Sequence, residues 1–304
     1  MRVGAHCASR IQGKREYQQD DYGIFELPAS LQSGDLLLVL ADGMGGERAG
    51  DRASATAIRC FIDAYGAISA RNIPERLRRA LDHANRELAL EIAAAPSLLN
   101  GMGCTLLAAV LAKEGLYWIS VGDSPLWLYR HKQLTRLNQD HSYRPVLAQQ
   151  LAGGEISATD AQAHPDRNAL FSALTGELIH QVDITQEPYP LQVGDRVLLA
   201  SDGLLTLSEA NIAIQMNAHA AGNMICQRLL EAVMNAADPE QDNTTVMVAC
   251  LSPKHQSPFT VLVVVLGLVT VLAASWWWRE SIPSLYQQFA DKLAKLVTYP
   301  EQSP

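Results

Sequence analysis

Apolar residues cluster in short runs that end at small or acidic residues. Residues 37–43, TLLAAVLA (105–112), LYWISVGD (116–123), DRVLLASDG (195–203) and TTVMVACL (244–251) are such runs. Each is too short and too continuous for an amphipathic surface helix, so each predicts a buried strand. Residues 47–66 and 73–95 carry a different period. In the second, Leu77, Leu81, Leu88 and Ile92 form a helical stripe, and Pro74 stands at a position suited to the first helical turn. Strands and helices do not alternate strictly, which predicts an α+β fold rather than a doubly wound sheet.

The last part of the chain follows another pattern. FTVLVVVLGLVTVLAASWWW, residues 259–278, has no charged side chain. As a helix rising ~1.5 Å per residue it would reach about 30 Å, the thickness of a bilayer's hydrocarbon core. Trp276, Trp277 and Trp278 suit a membrane–water interface. The expected organisation is a globular domain over 1–251, a linker at 252–258, a transmembrane helix at 259–278 and a tail at 279–304. In the tail Leu285, Phe289, Leu293 and Leu296 recur at four and three residues, the spacing of a short amphipathic helix.

Composition narrows the function. The 304 residues are 48% hydrophobic and 18% charged, enough apolar material for a large core. The net charge is −8, with 24 Lys and Arg against 32 Asp and Glu, which argues against a nucleic-acid partner. Nearly all the acid excess lies before residue 251, where an incoming phosphate would be repelled unless cations intervene. Five cysteines stand without a C-x-x-C pair, so neither a disulfide framework nor a zinc site is expected, and the thiols are read as unpaired. The first twenty residues lack the apolar run of a secretory signal. Lys254 and Arg279 flank the expected span and leave its orientation open by charge alone. The missing signal and the thiols favour a domain facing the cytoplasm, anchored in the inner membrane.

Candidate chemistry gathers at turns. Four motifs carry an Asp beside a turn: Arg15–Asp20 (REYQQD), Ala41–Gly46 (ADGMGG), Ser201–Gly203 (SDG) and Asp242–Asn243. In two of them an apolar run ends in Asp-Gly, so a carboxylate is held by a strand at its rim. Asp-Gly is also an ordinary turn, and a single one carries little. Several converging would form an oxygen-rich site suited to Mg2+ or Mn2+.

At these residues the chain resembles the bacterial branch of the metal-dependent protein phosphatases of the 2C type. The resemblance rests on GKREYQQDDYGIF (13–25), LADGMGGERAGDRAS (40–54), MGCTLLAAVL (102–111), VGDSPLWLYR (121–130), LNQDHS (137–142), GDRVLLASDGL (194–204) and QDNTTVMV (241–248), in the family's order. It implies a four-layer α-β-β-α sandwich of two antiparallel sheets flanked by helices. It also implies two tightly held Mg2+ or Mn2+ ions, which activate a bridging water for in-line attack on a phosphoserine or phosphothreonine. Carried over by motif, Asp42 bridges the metals, Asp202 and Asp242 complete the first, and the carbonyl of Gly43 serves the second, with Asp20 acting through water. Asp123 matches a position that helps hold a third, weaker metal. Arg15 matches the arginine that binds the substrate phosphate. Phosphoproteins and a cognate Ser/Thr kinase are the implied partners.

The chain departs from the family pattern at several points. Gln19 stands where an acidic residue is frequent, so the second metal would rest on Asp42, Gly43 and waters. Met44 follows the Asp-Gly where eukaryotic members have His and bacterial ones commonly have Met, and Pro125 replaces the usual Arg after Gly-Asp-Ser. His141 and Cys104 are read as structural. The stretch 143–175, with Gly153-Gly154 and HPDRN (164–168), matches the family's mobile flap. Two alternatives follow from the same residues: a catalytically weak phosphoprotein-binding module, and a small-phosphoester hydrolase.

Overall fold

The computed structural model describes residues 2–26, 36–46, 49–68, 72–217, 222–253, 275–278, 282 and 284–293. The chain divides into two units, Met1–Pro253 and Lys254–Pro304.

The first unit holds two antiparallel sheets. One has the order β1 (Arg2–Ile11), β11 (Thr244–Ser252), β10 (Arg196–Ala200), β7 (Leu126–Arg130) and β8 (Gln133–Arg136). The other runs β2 (Asp20–Glu26), β3 (Leu36–Met44), β5 (Leu106–Leu111), β6 (Leu116–Val121) and β9 (Asp183–Ile184), with β4 (Gly103–Cys104) paired to β3. Helices α1 (Ala49–Ala67) and α2 (Ile73–Ala94) cover one sheet; α6 (Glu209–Met216) and α7 (Gly222–Ala236) cover the other. This is the expected four-layer order.

The apolar runs are continuous because both faces of the central strands are buried. Along β3, Leu36, Leu38 and Leu40 point into the core between the sheets, while Leu37, Val39 and Ala41 pack against α1 and α2. On β11, Met247, Ala249 and Leu251 enter the inter-sheet core, and Val246 and Val248 face α7. A side-chain period of two thus serves two cores at once. Asn72 caps α2 by accepting from the Glu75 backbone N–H, and Pro74 lies in the first turn, as its fixed φ allows.

Six strands among the described residues were not predicted from the sequence: β1, β2 and β7, and the short β4, β8 and β9. β1, RVGAHCASRI, is an edge strand of mostly half-buried residues, so it lacks an apolar run. β2 begins inside the QQDD motif and is half-buried. β7 is fully apolar along Leu126–Tyr129 but follows Pro125 closely, which obscures its start.

The reading of unpaired thiols is corrected: Cys7 on β1 is disulfide-bonded to Cys226 on α7, while Cys60, Cys104 and Cys250 are free. The two are 219 residues apart, and spacing alone cannot reveal a pair that the fold brings together.

In the second unit, residues 275–278 and 284–293 are helical, and Leu285, Phe289 and Leu293 are exposed. Among the described residues no helix is long and apolar enough to cross a membrane. Residues 259–274 of the expected span, and Leu296 of the expected tail helix, lie outside the described residues.

Candidate metal centre

The antiparallel order brings one end of several strands to a single rim. Asp20 opens β2 and stands in register with Asp42 near the end of β3. Asp123 follows β6, Asp202 follows β10, and Asp242 precedes β11. A cleft of about 670 Å3 opens at this rim, lined by Arg15, Asp42, Gly43, Asp123, Asp202 and Asp242. Asp20 lies just beneath, 2% exposed, and does not line the cleft.

Each carboxylate is held by local structure. Ser201 Oγ and Thr245 Oγ1 donate to Asp20 Oδ2 at 2.7 and 2.8 Å. The backbone N–H of Asp20 donates to Gln18 Oε1 at 3.0 Å, and Gln18 Nε2 donates to the Ile11 carbonyl at 3.0 Å. The unusual Gln18 therefore ties β1 to the start of β2. The Asp42 N–H donates to Thr105 Oγ1 at 3.0 Å. Gly43 N–H donates to the Gln19 carbonyl at 3.1 Å. A Cβ on Gly43 would stand 2.1 Å from the Gly50 carbonyl oxygen, so only glycine fits there. Asn243 staples the Arg15 loop: its Oδ1 accepts from Gln19 N–H, and its Nδ2 donates to the Gln12 and Tyr17 carbonyls.

Burial raises the carboxyl groups of this cluster. Burial is the largest cause at each group and pushes Asp20 and Asp123 each up to about 7. The Ser201 and Thr245 hydroxyls oppose the rise at Asp20, and Arg144 opposes it at Asp123. Asp42 is raised well above the usual carboxylate range by burial and then by the charges of Asp20 and Asp202. Burial raises Asp202 as well, against the pull of Arg144.

The donor set suits a hard divalent cation: Asp42, Asp123, Asp202 and Asp242 line the cleft, and no cysteine is among its lining residues. Asp20 Oδ1 is buried and has no hydrogen-bond partner among the described residues, as expected of an oxygen reserved for a metal or its water. Yet among the described residues no three His, Cys, Asp or Glu side chains stand at metal-holding geometry. Guanidinium groups take some of the oxygens instead. Arg15 Nη2 lies 2.6 Å from Asp242 Oδ2, and Arg144 Nη2 lies 3.0 Å from Asp123 Oδ2 and 3.1 Å from Asp202 Oδ2. The residues fit the metals in type and gather at one rim, though among the described residues they do not stand at ligand spacing.

Arg15, 59% exposed, lines the cleft while paired with Asp242. Residues 168–173 and His180 form the opposite wall, within and just beyond the stretch read as a flap. His141 lies outside the cleft lining: it is buried, and its Nδ1 accepts from Gly122 N–H at 3.2 Å. Cys104 is buried against the Ala53 carbonyl, and burial pushes its thiol up, so both residues serve the structure. Sequence reasoning missed Arg144, Asn243, Ser201 and Thr245. Asn243 and Ser201 adjoin motif aspartates, a signal that was available. Nothing in the local sequence marked Arg144.

Comparison with known proteins shows the family. The family model described as Protein phosphatase 2C matches residues 9–252. The serine/threonine phosphatase stp of Listeria welshimeri is 37% identical over 197 residues, 64% of this chain and 74% of that protein. The serine/threonine protein phosphatase PstP of Mycobacterium tuberculosis is 34% identical over 223 residues, 72% of this chain but 41% of PstP. The crystal structure of the PstP catalytic domain in complex with two manganese ions is 28% identical, covers 82% of this chain and 98% of that one, and has a TM-score of 0.65. The chain belongs to the protein phosphatase 2C family of metal-dependent serine/threonine phosphatases.

Proposed function

We propose that this chain hydrolyses phosphoserine and phosphothreonine in proteins, with Asp42, Gly43, Asp202 and Asp242 holding two Mg2+ or Mn2+ ions and Asp20 acting through water. One observation carries the reading: Asp42, Asp123, Asp202 and Asp242, from strand ends in both sheets, line one cleft together with Arg15, and Asp20 lies just beneath it. When bound, the metal pair supplies a nucleophilic water at neutral pH and offsets the carboxylate charge that would repel a phosphate.

The chain's own groups do the rest. Arg15 exchanges Asp242 for two phosphoryl oxygens, which its planar fork grips together. Asp42 and Asp202, fixed at strand ends, hold their oxygens still, so the site needs little reorganisation. Gln19 donates through Nε2 to the Gly45 carbonyl at 3.3 Å and shapes the cleft floor without adding charge. No histidine follows Gly43, so the leaving alkoxide takes its proton from water or from the substrate side. The wall at 168–173 contacts the phosphopeptide and selects among substrates.

We also propose that residues 259–278 anchor the protein in the inner membrane, with the catalytic domain in the cytoplasm, where it opposes a Ser/Thr kinase. The uncharged run and its three tryptophans support this reading. Anchoring would raise the local concentration of the enzyme near membrane-bound kinase substrates.

The test compares the wild type with Asp202→Asn and Asp242→Asn on a phosphothreonine peptide and on a sugar phosphate. Both variants should keep their thermal transition and lose turnover by a factor of about 100 or more, the scale of losing one preorganised electrostatic partner. The peptide should be the better substrate. Retained turnover in both variants overturns the metal assignment, and a preference for the sugar phosphate overturns the protein-substrate reading.

A further inference from the structure

Arg144 opens helix α4 (Arg144–Ala152), and its side chain is only 15% exposed. Its contacts converge on the metal centre. Nη2 lies 3.0 Å from Asp123 Oδ2 and 3.1 Å from Asp202 Oδ2, while Nε donates to Asn168 Oδ1 at 3.2 Å. Nη1 is buried without a hydrogen-bond partner, and Asp140 Oδ2 lies 4.0 Å away. Asp140 is itself engaged by Arg136 at 3.0 Å. One guanidinium therefore sits between Asp123, the residue matched to a third metal, and Asp202, and also bonds Asn168, which lines the cleft.

We propose that Arg144 is a tethered cation occupying the third-metal position between Asp123 and Asp202, so that this enzyme binds two metal ions and carries its third positive charge in a side chain. The inference rests on the two-metal reading above.

The geometry makes the two cations exclusive. A Mg2+ or Mn2+ ion ligated by Asp123 Oδ2 on the side facing Asp202 would lie about 2.1 Å from that oxygen, along nearly the same line as Nη2, and so roughly 1 Å from the nitrogen. The arginine would have to leave. Leaving breaks the charge-assisted hydrogen bond to Asp202, the ion pair with Asp123 and the bond to Asn168, and strands a guanidinium in a largely buried place. Backbone anchoring keeps it there: Arg144 N–H donates to Ser142 Oγ, and Pro145 stiffens the start of α4. A tethered cation is also always present, whereas a weak third metal comes and goes with its concentration. Arg144 is thus a positioning residue: it fixes Asp202, a ligand of the first metal, and links it to the cleft wall at Asn168.

The experiment counts metal ions in the full-length protein. Mn2+ is titrated to millimolar concentration while the electron paramagnetic resonance signal of free aqueous Mn2+ is followed, with thermal melts to verify folding. The wild type should bind two ions per chain. Arg144→Met, which removes the charge and keeps bulk, should bind a third, at least tenfold tighter than any third ion on the wild type. Arg144→Lys should return to two, because the cation is restored. Asp123→Asn in the wild-type background gives an answer that does not depend on how Arg144→Met folds. If Arg144 holds the position, the count stays at two. Three ions on the wild type, falling to two in Asp123→Asn, overturn the proposal, and so does a folded Arg144→Met that still binds only two. A wild type that binds none overturns the metal-site reading itself, and this inference with it.

Discussion

At the scale of single residues, the site depends on backbone that leaves no room. Gly43 approaches both Gly50 and Gln19, and an added Cβ would meet their carbonyl oxygens at 2.1 and 2.6 Å. Gly43→Ala should therefore cost about 1–3 kcal/mol of stability, measured by chemical denaturation, as the strand shifts away from α1. A variant as stable as the wild type would mean the loop yields more freely than this packing indicates. His141 illustrates a different constraint. Burial lowers its pKa below the ordinary 6.5, and Gly122 N–H occupies Nδ1. The folded value is depressed, so the contribution of neutral His141 to stability is fully present above pH ~6.5 and is lost as pH falls below that through the folded value. Imidazole resonances followed by NMR should show this ring neutral at pH 6.5; titration at or above the ordinary value would contradict its structural role. The motif aspartates were legible in the sequence because each stands beside a turn. Arg144 was not, because its meaning comes from Asp123 and Asp202, which lie 21 and 58 residues away along the chain.

At the scale of elements, strands buried on both faces explain why apolar runs identified β3, β5, β6, β10 and β11. Edge strand β1 is half-covered and alternates weakly, so its RVGAHCASRI reads as loop. Its pairing with β11 in the fold is what brings Cys7 to Cys226. The end of β7 is fixed by a buried fork: Arg130 Nε and Nη2 donate to Asp195 Oδ1 and Oδ2 at 2.8 and 2.6 Å. Asp195 is 2% exposed. Removing the guanidinium by Arg130→Ala leaves that buried carboxylate without its countercharge, with the Gln192 N–H still donating to Oδ2, at a cost of about 3 kcal/mol. Urea denaturation should show the loss while kcat on a phosphopeptide stays within twofold, because the pair is remote from the cleft. An unchanged midpoint would show that water reaches Asp195.

At the scale of the whole molecule, the two units have different physics. Residues 1–253 bury three cores around two sheets, and the family model covers 9–252. The acidic charge of this part is met at the cleft by Arg15 and Arg144 and, when bound, by metal ions. Deleting residues 252–304 should release a soluble domain with undiminished turnover on a phosphopeptide; aggregation or loss of activity would place the boundary elsewhere. The most direct test of the central claim uses that domain with a phosphothreonine peptide in three samples: Mn2+, EDTA, and Asp42→Asn with Mn2+. Phosphate release in the first sample alone is the predicted result. Release in EDTA or from Asp42→Asn, or none in any sample from folded protein, would contradict a metal-dependent phosphatase built on the aspartates of this rim.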